Sequence, residues 1–161
     1  MSRYLSLSLF LALVVGAAAV GTSYEAGLWY FDMQKPSWTP PAWVFGPAWG
    51  LLYLLMAVAA WKVWDSGHYD RVNAITLWLI QLALNAAWSW IFFGLHRLGV
   101  AWLELSVLLL MVLLCIRAFH AISRPAAWMM LPYFAWLIFA WCLNFAIWNM
   151  NGGPAAGFFT G

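Results

Sequence analysis

Gln81, Asn85, Trp88 and Phe92 are separated by four, three and four residues, a spacing that sets two amides and two rings on one helix face. Tyr133, Trp136, Ala140, Asn144 and Ile147 make a second stripe of this kind, and Gly46, Trp49, Tyr53 and Ala57 a third. Amides that both donate and accept, set among broad flat rings, suit the stacking of a planar, mostly apolar ligand held by a few hydrogen bonds. They do not suit hydrolysis or phosphoryl transfer, since the chain carries no Ser/His/Asp set, phosphate-cradling loop or paired carboxylates. His68, His96 and His120 stand apart in or beside loops, so no built-in metal site is expected. Cys115 and Cys142 sit among Leu, Ile and Phe and read as small buried hydrophobes. Glu104 is the sole acid within an apolar run; it either serves a site or bonds to a neighbouring helix or the interface.

The elements that carry these stripes must lie in lipid. Of the 161 residues 66% are hydrophobic and 7% charged, against the roughly 25% charge of soluble chains. Apolar runs long enough to cross a bilayer occur at 5–23, 43–64, 72–94, 98–117 and 126–149. They are continuous rather than alternating, which predicts an all-α integral membrane protein, a single domain of five transmembrane helices. The first run resembles a secretory signal, but it continues to Ser23 and is read as a retained helix. Arg3, Lys62, Arg71, Arg117 and Arg124 fall on one side of this topology, Lys35 and Arg97 on the other. The positive-inside rule then places the N-terminus in the cytoplasm. A net charge of +2 gives no support for nucleic-acid binding.

Between the first two spans lies a loop, 24–42, rich in aromatics and proline. Pro36, Pro40 and Pro41 remove backbone donors and argue against a regular helix through it. Trp29, Tyr30 and Trp38 either anchor in the membrane interface or form a recognition surface. Depth bears on that choice. Trp49, Trp88 and Asn144 each lie five or six positions inside the loop-side end of their helices, about 9 Å deep. The loop is then a lid over an aromatic and amide layer. Residue by residue, the amides could equally join helices and the rings fill volume; the set together favours a pocket. Trp43, Trp61, Trp64, Trp78, Trp102, Trp128 and Trp148 fall near span ends and are assigned to the belt. Small-residue pairs at Ala12/Gly16, Ala17/Gly21 and Ala83/Ala87 allow close helix approach and a homodimer. Residues 150–161 read as a flexible, Gly-rich tail.

Several motifs in one order resemble the tryptophan-rich sensory protein/translocator protein family, TspO, whose mitochondrial members are called the peripheral benzodiazepine receptor. They are Trp29-Tyr30, the run Lys35 to Pro41, Trp43 and Trp49; Gln81 to Ser89 with Phe92-Phe93; and Pro132-Tyr133, Trp136, Leu143-Asn144 and Asn149. The resemblance, to a bacterial-type member, covers almost the whole chain. It implies a five-helix bundle, commonly dimeric, in a bacterial membrane, that binds protoporphyrin IX, haem and benzodiazepine-type ligands rather than holding a cofactor of its own. By motif match Tyr30, Pro40, Trp49, Asn85, Trp88, Trp136, Ala140 and Asn144 would line the ligand site, and Tyr53, on the stripe of Trp49, is placed with them. Sensing is the leading function implied; the alternatives are transport of porphyrins or other small amphipaths, and a light- and oxygen-dependent porphyrin degradation in which Trp49 and Trp136 would take part. The family's cholesterol pattern is not met, because Phe145 stands where a Tyr is required and no basic residue follows.

Overall fold

The computed structural model describes residues 3–24 and 26–156. Its elements are α1 (Arg3–Thr22), α2 (Leu28–Asp32), α3 (Ala42–Asp65), α4 (Arg71–Ser89, extended by a π-helical turn Trp90–Gly94), α5 (Leu98–Ile122), α6 (Arg124–Met150) and a short helical turn α7 (Gly153–Ala156). Five of these are long and apolar enough to cross a membrane. The protein is an all-α integral membrane protein, and its five long helices pack as one bundle.

Burial follows the logic of lipid. Met56, Ala57, Ala59, Ala60, Val63, Leu108, Val112 and Met130 close the interior, while Leu51, Leu54, Leu79, Ile80, Leu103, Val107, Leu110 and Ile138 stand exposed. Leucines and isoleucines on an outer face are a liability in water and ordinary in a bilayer, where every backbone group is satisfied inside its own helix. The alanines of α3 let α1 and α4 approach it closely, since a small side chain keeps neighbouring backbones near.

Three expectations change. Trp78 and Trp148, assigned to the belt by their places near span ends, are 0% and 2% exposed. Trp78 packs edge-on against Phe10 at 5.5 Å, so the stripe it shares with Gln81 and Asn85 outweighs its nearness to a helix end. Cys142 is exposed, unlike the buried Cys115. The proline-rich loop does hold a helix, the short α2, which ends before Pro36. Glu25 in the loop and residues 157–161 of the tail lie outside the described residues.

The end of α4 departs from regular geometry. Leu95 N donates to Trp90 O at 2.9 Å, a bond spanning five residues. A π turn inserts an extra residue, so the consecutive Phe92 and Phe93 both reach one partner, Tyr30, at ring separations of 6.2 and 5.6 Å. Gly94 follows, where an added Cβ would meet the Trp90 and Tyr24 rings at 3.0 Å. His96 then turns the chain with φ of 56°, a left-handed conformation uncommon outside glycine.

Candidate functional site

The stripes read from sequence meet in two groups, one near the middle of the bundle and one toward its loop end. In the first, Tyr53 of α3 donates its hydroxyl to Asn85 Oδ1 at 2.7 Å, and Asn85 Nδ2 donates to Tyr133 Oη of α6 at 3.1 Å. One amide thus joins three helices. Trp49 lies over this group, 5.3 Å from Tyr53, 6.2 Å from Tyr133 and 6.4 Å from Trp136. Phe45 and Phe139 extend the rings on either side of Trp136. In the second group Trp88 Nε1 donates to Asn144 Oδ1 at 3.3 Å, and Asn144 Nδ2 donates to Leu98 O at 3.0 Å. Trp88 also lies against Phe92 at 4.9 Å.

Asn85, Asn144 and Tyr133 are buried, while Tyr30, Pro40, Trp49, Tyr53, Trp88, Trp136 and Ala140 are half-buried. The amides therefore serve first as bridges between helices, their oxygens and nitrogens already engaged, and the rings supply the accessible faces. Trp49 is thus grouped with Tyr133 and Trp136, and Asn144 with Trp88: the shared depth inferred from counting resolves into two adjoining clusters. Gly46, placed on the inward stripe, is exposed, and an added Cβ there would meet nothing within 4 Å.

The loop closes over this end through contacts of its own. Lys35 Nζ donates to the carbonyls of Tyr30 at 2.5 Å, Met33 at 3.1 Å and Phe31 at 3.2 Å, and its ammonium lies 4.6 Å from the Tyr30 ring centroid. A cation on the last carbonyls of α2 is a C-terminal cap, which is how so short a helix persists. Trp29 stacks on His96 at 4.0 Å, and Trp38 meets Phe139 at 5.9 Å. Burial raises the Tyr30 phenol above its usual 10.0, which keeps its hydroxyl protonated.

Sequence reasoning missed Asn151. Its Nδ2 donates to Gln34 O at 2.8 Å and to Ile147 O at 2.7 Å, and its Oδ1 accepts from Gln34 N at 3.1 Å. This pair of bonds treats the loop backbone as a strand would and ties the loop to the end of α6. Gly152 and Gly153 just beyond, both with positive φ, carried the available signal: a helix stop with Asn before it.

A family model matches residues 6–149, nearly the whole span just described. The chain belongs to the TspO/MBR family. Among curated TspO relatives, the Protein CrtK of Rhodobacter capsulatus is 38% identical over 154 residues, covering 92% of this chain and 96% of its own. The human Translocator protein is 40% identical, covering 80% and 78%, and a Tryptophan-rich sensory protein of Cereibacter sphaeroides 35%, covering 88% and 89%. The resemblance drawn from the motifs is therefore correct.

Four further side chains belong to no hydrogen-bonded cluster, and the buried indole nitrogens of Trp78 and Trp102 are two of them. Glu104 buries both carboxyl oxygens, and Gln81, wholly buried, its amide, with no hydrogen-bond partner among the described residues. The reading of Glu104 as bonded to a neighbouring helix is thus not met. Polar groups so placed are exceptions in folded chains. Two shallow cavities, of about 160 and 200 Å³, lie at the opposite end of the bundle, and neither touches the aromatic clusters. They lie away from the rings and amides, whose placement is the better guide to this site.

Proposed function

We propose that this TspO protein is a membrane receptor for planar tetrapyrroles such as protoporphyrin IX and haem, and for benzodiazepine-type ligands, received between the first loop and the aromatic clusters. The observation that carries the reading is the half-buried Trp49 held among Tyr53, Tyr133 and Trp136 under a loop that closes by separable contacts. A flat apolar ligand would take the place of ring-on-ring contacts, stacking on Trp49, Trp136 and Trp88, with Tyr30, Pro40 and Ala140 bounding it. Asn85 and Asn144 hold those rings in register. Entry requires the loop to part from α6, which breaks the Asn151 bonds and couples occupancy to loop position. That coupling is what a sensor needs.

The amide-bridged rings run from mid-bundle to the loop end and not through to the charged end, which favours binding over passage. We place the protein in a bacterial membrane with the N-terminus in the cytoplasm, as a dimer through the exposed Ala12 and Gly16 of α1. Titrating protoporphyrin IX against tryptophan fluorescence tests the assignment: Trp49→Phe, Asn85→Ala and Trp136→Phe should each weaken binding about fivefold or more. Unchanged affinity in all three would remove it. In the same cuvette, loss of the porphyrin band under light and air beyond a protein-free control would reveal a degrading activity at Trp49.

A further inference from the structure

The end of the bundle away from the aromatic loop is built from charge. It carries five of the seven basic residues, Arg3, Lys62, Arg71, Arg117 and Arg124, against the acids Asp65 and Asp70. There, where α1 and α4 begin and α3 ends, Ser6, Trp64, Asp65 and Arg71 line the cavity of about 200 Å³. Arg71 is held in place: Nη1 donates to Trp64 O at 3.2 Å, and its guanidinium lies 4.8 Å from the Trp64 ring centroid. A guanidinium stacked on an indole keeps its plane fixed and its remaining N–H donors directed outward. No carboxylate pairs with Arg71 among the described residues. The neighbouring Asp65 is engaged by Arg3, whose Nε lies 2.9 Å from Oδ2, and Arg3 in turn lies 5.5 Å from the Trp61 ring centroid. The cavity therefore combines a neutralised acid, a pre-oriented cation and an indole face, all at the ends of membrane-spanning helices.

We infer that this cavity binds the phosphate of an anionic phospholipid headgroup, with Arg71 as its principal donor. The phosphate oxygens take the free fork of the guanidinium, the glycerol backbone lies along Trp64, and the acyl chains follow the exposed leucines of the bundle surface. A soluble phosphate has the same chemistry but gains nothing from the indole or the adjoining lipid face, so a lipid is the occupant the placement favours. The site is separate from the aromatic clusters and does not depend on their ligand.

Native mass spectrometry of the full chain, with added phosphatidylglycerol or phosphatidylcholine, counts lipids retained. Wild type should retain the anionic lipid preferentially. Arg71→Gln should lower that retention about fivefold, the loss expected for one interfacial cation, whereas Arg117→Gln, exposed at the same end but outside the cavity, should not. Asp65→Asn supplies a gain that misfolding cannot mimic: it removes the cavity's carboxylate and frees Arg3, so retention should rise. Equal losses in Arg71→Gln and Arg117→Gln, or no rise in Asp65→Asn, would overturn the site. Displacement of the lipid by inorganic phosphate alone at equal concentration would overturn its assignment to a lipid.

Discussion

The two ends of this bundle are held by different physics. At the loop end, neutral amides and hydroxyls bond across helices and aromatic rings meet edge to face. At the other, an exposed ion pair and two cation–π contacts tie the short connections together. The first kind works without water and loses little when apolar matter slides in beside it, because a ring exchanges one apolar partner for another. The second is screened by salt and suited to the headgroup region. The amide bridges are therefore the frame and the ring faces beside them its exchangeable part, while the charged end adds contacts that are weak and salt-sensitive.

The hardest test of that contrast is Asn85→Ala. It strands the Tyr53 and Tyr133 hydroxyls within the bundle and should cost about 2 kcal/mol, read as a lower melting temperature in detergent. A loss below about 0.5 kcal/mol would mean the amide is a bystander and the rings alone hold that end. Next comes Asn151→Ala, which leaves the core intact but removes both bonds to Gln34. Hydrogen exchange at the 33–35 amides should quicken about fivefold, the equivalent of about 1 kcal/mol, with melting nearly unchanged. Matching losses in both readouts would show that the loop is part of the frame rather than a cover.

At the charged end the expected effect is smaller. Arg3→Gln breaks the ion pair with Asp65, whose partners are 70% and 28% exposed, and should cost at most about 0.5 kcal/mol, vanishing in high salt. A salt-independent loss would place that pair in the frame after all. The smallest effect is a pH dependence of the loop. Burial raises the Tyr30 pKa above 10.0, so the closed loop holds the proton more tightly than the open one. Closure should be unaffected below pH 10 and weaken as pH rises beyond it, seen as faster exchange at the loop under alkaline conditions.

The five spans were legible in composition alone, because lipid demands apolar lengths of about 20 residues and satisfied backbones, and both demands are local to each segment. The inward faces were legible for the same reason: Gln81, Asn85 and Phe92 repeat at helical spacing, and all three are buried. Partners were not. Counting rise per residue put Trp49, Trp88 and Asn144 at one level, yet the assembled bundle pairs Trp88 with Asn144 and sets Trp49 against Tyr133 and Trp136. Which side chains meet depends on crossing angles, a property of pairs of helices that no single segment encodes. The π turn that brings Phe92 and Phe93 together onto Tyr30, and the Asn151 clasp joining positions 117 residues apart, arise only when the chain is assembled. Each bond there satisfies a backbone group whose partner lies elsewhere in the sequence, so local pattern can mark the need but not the answer.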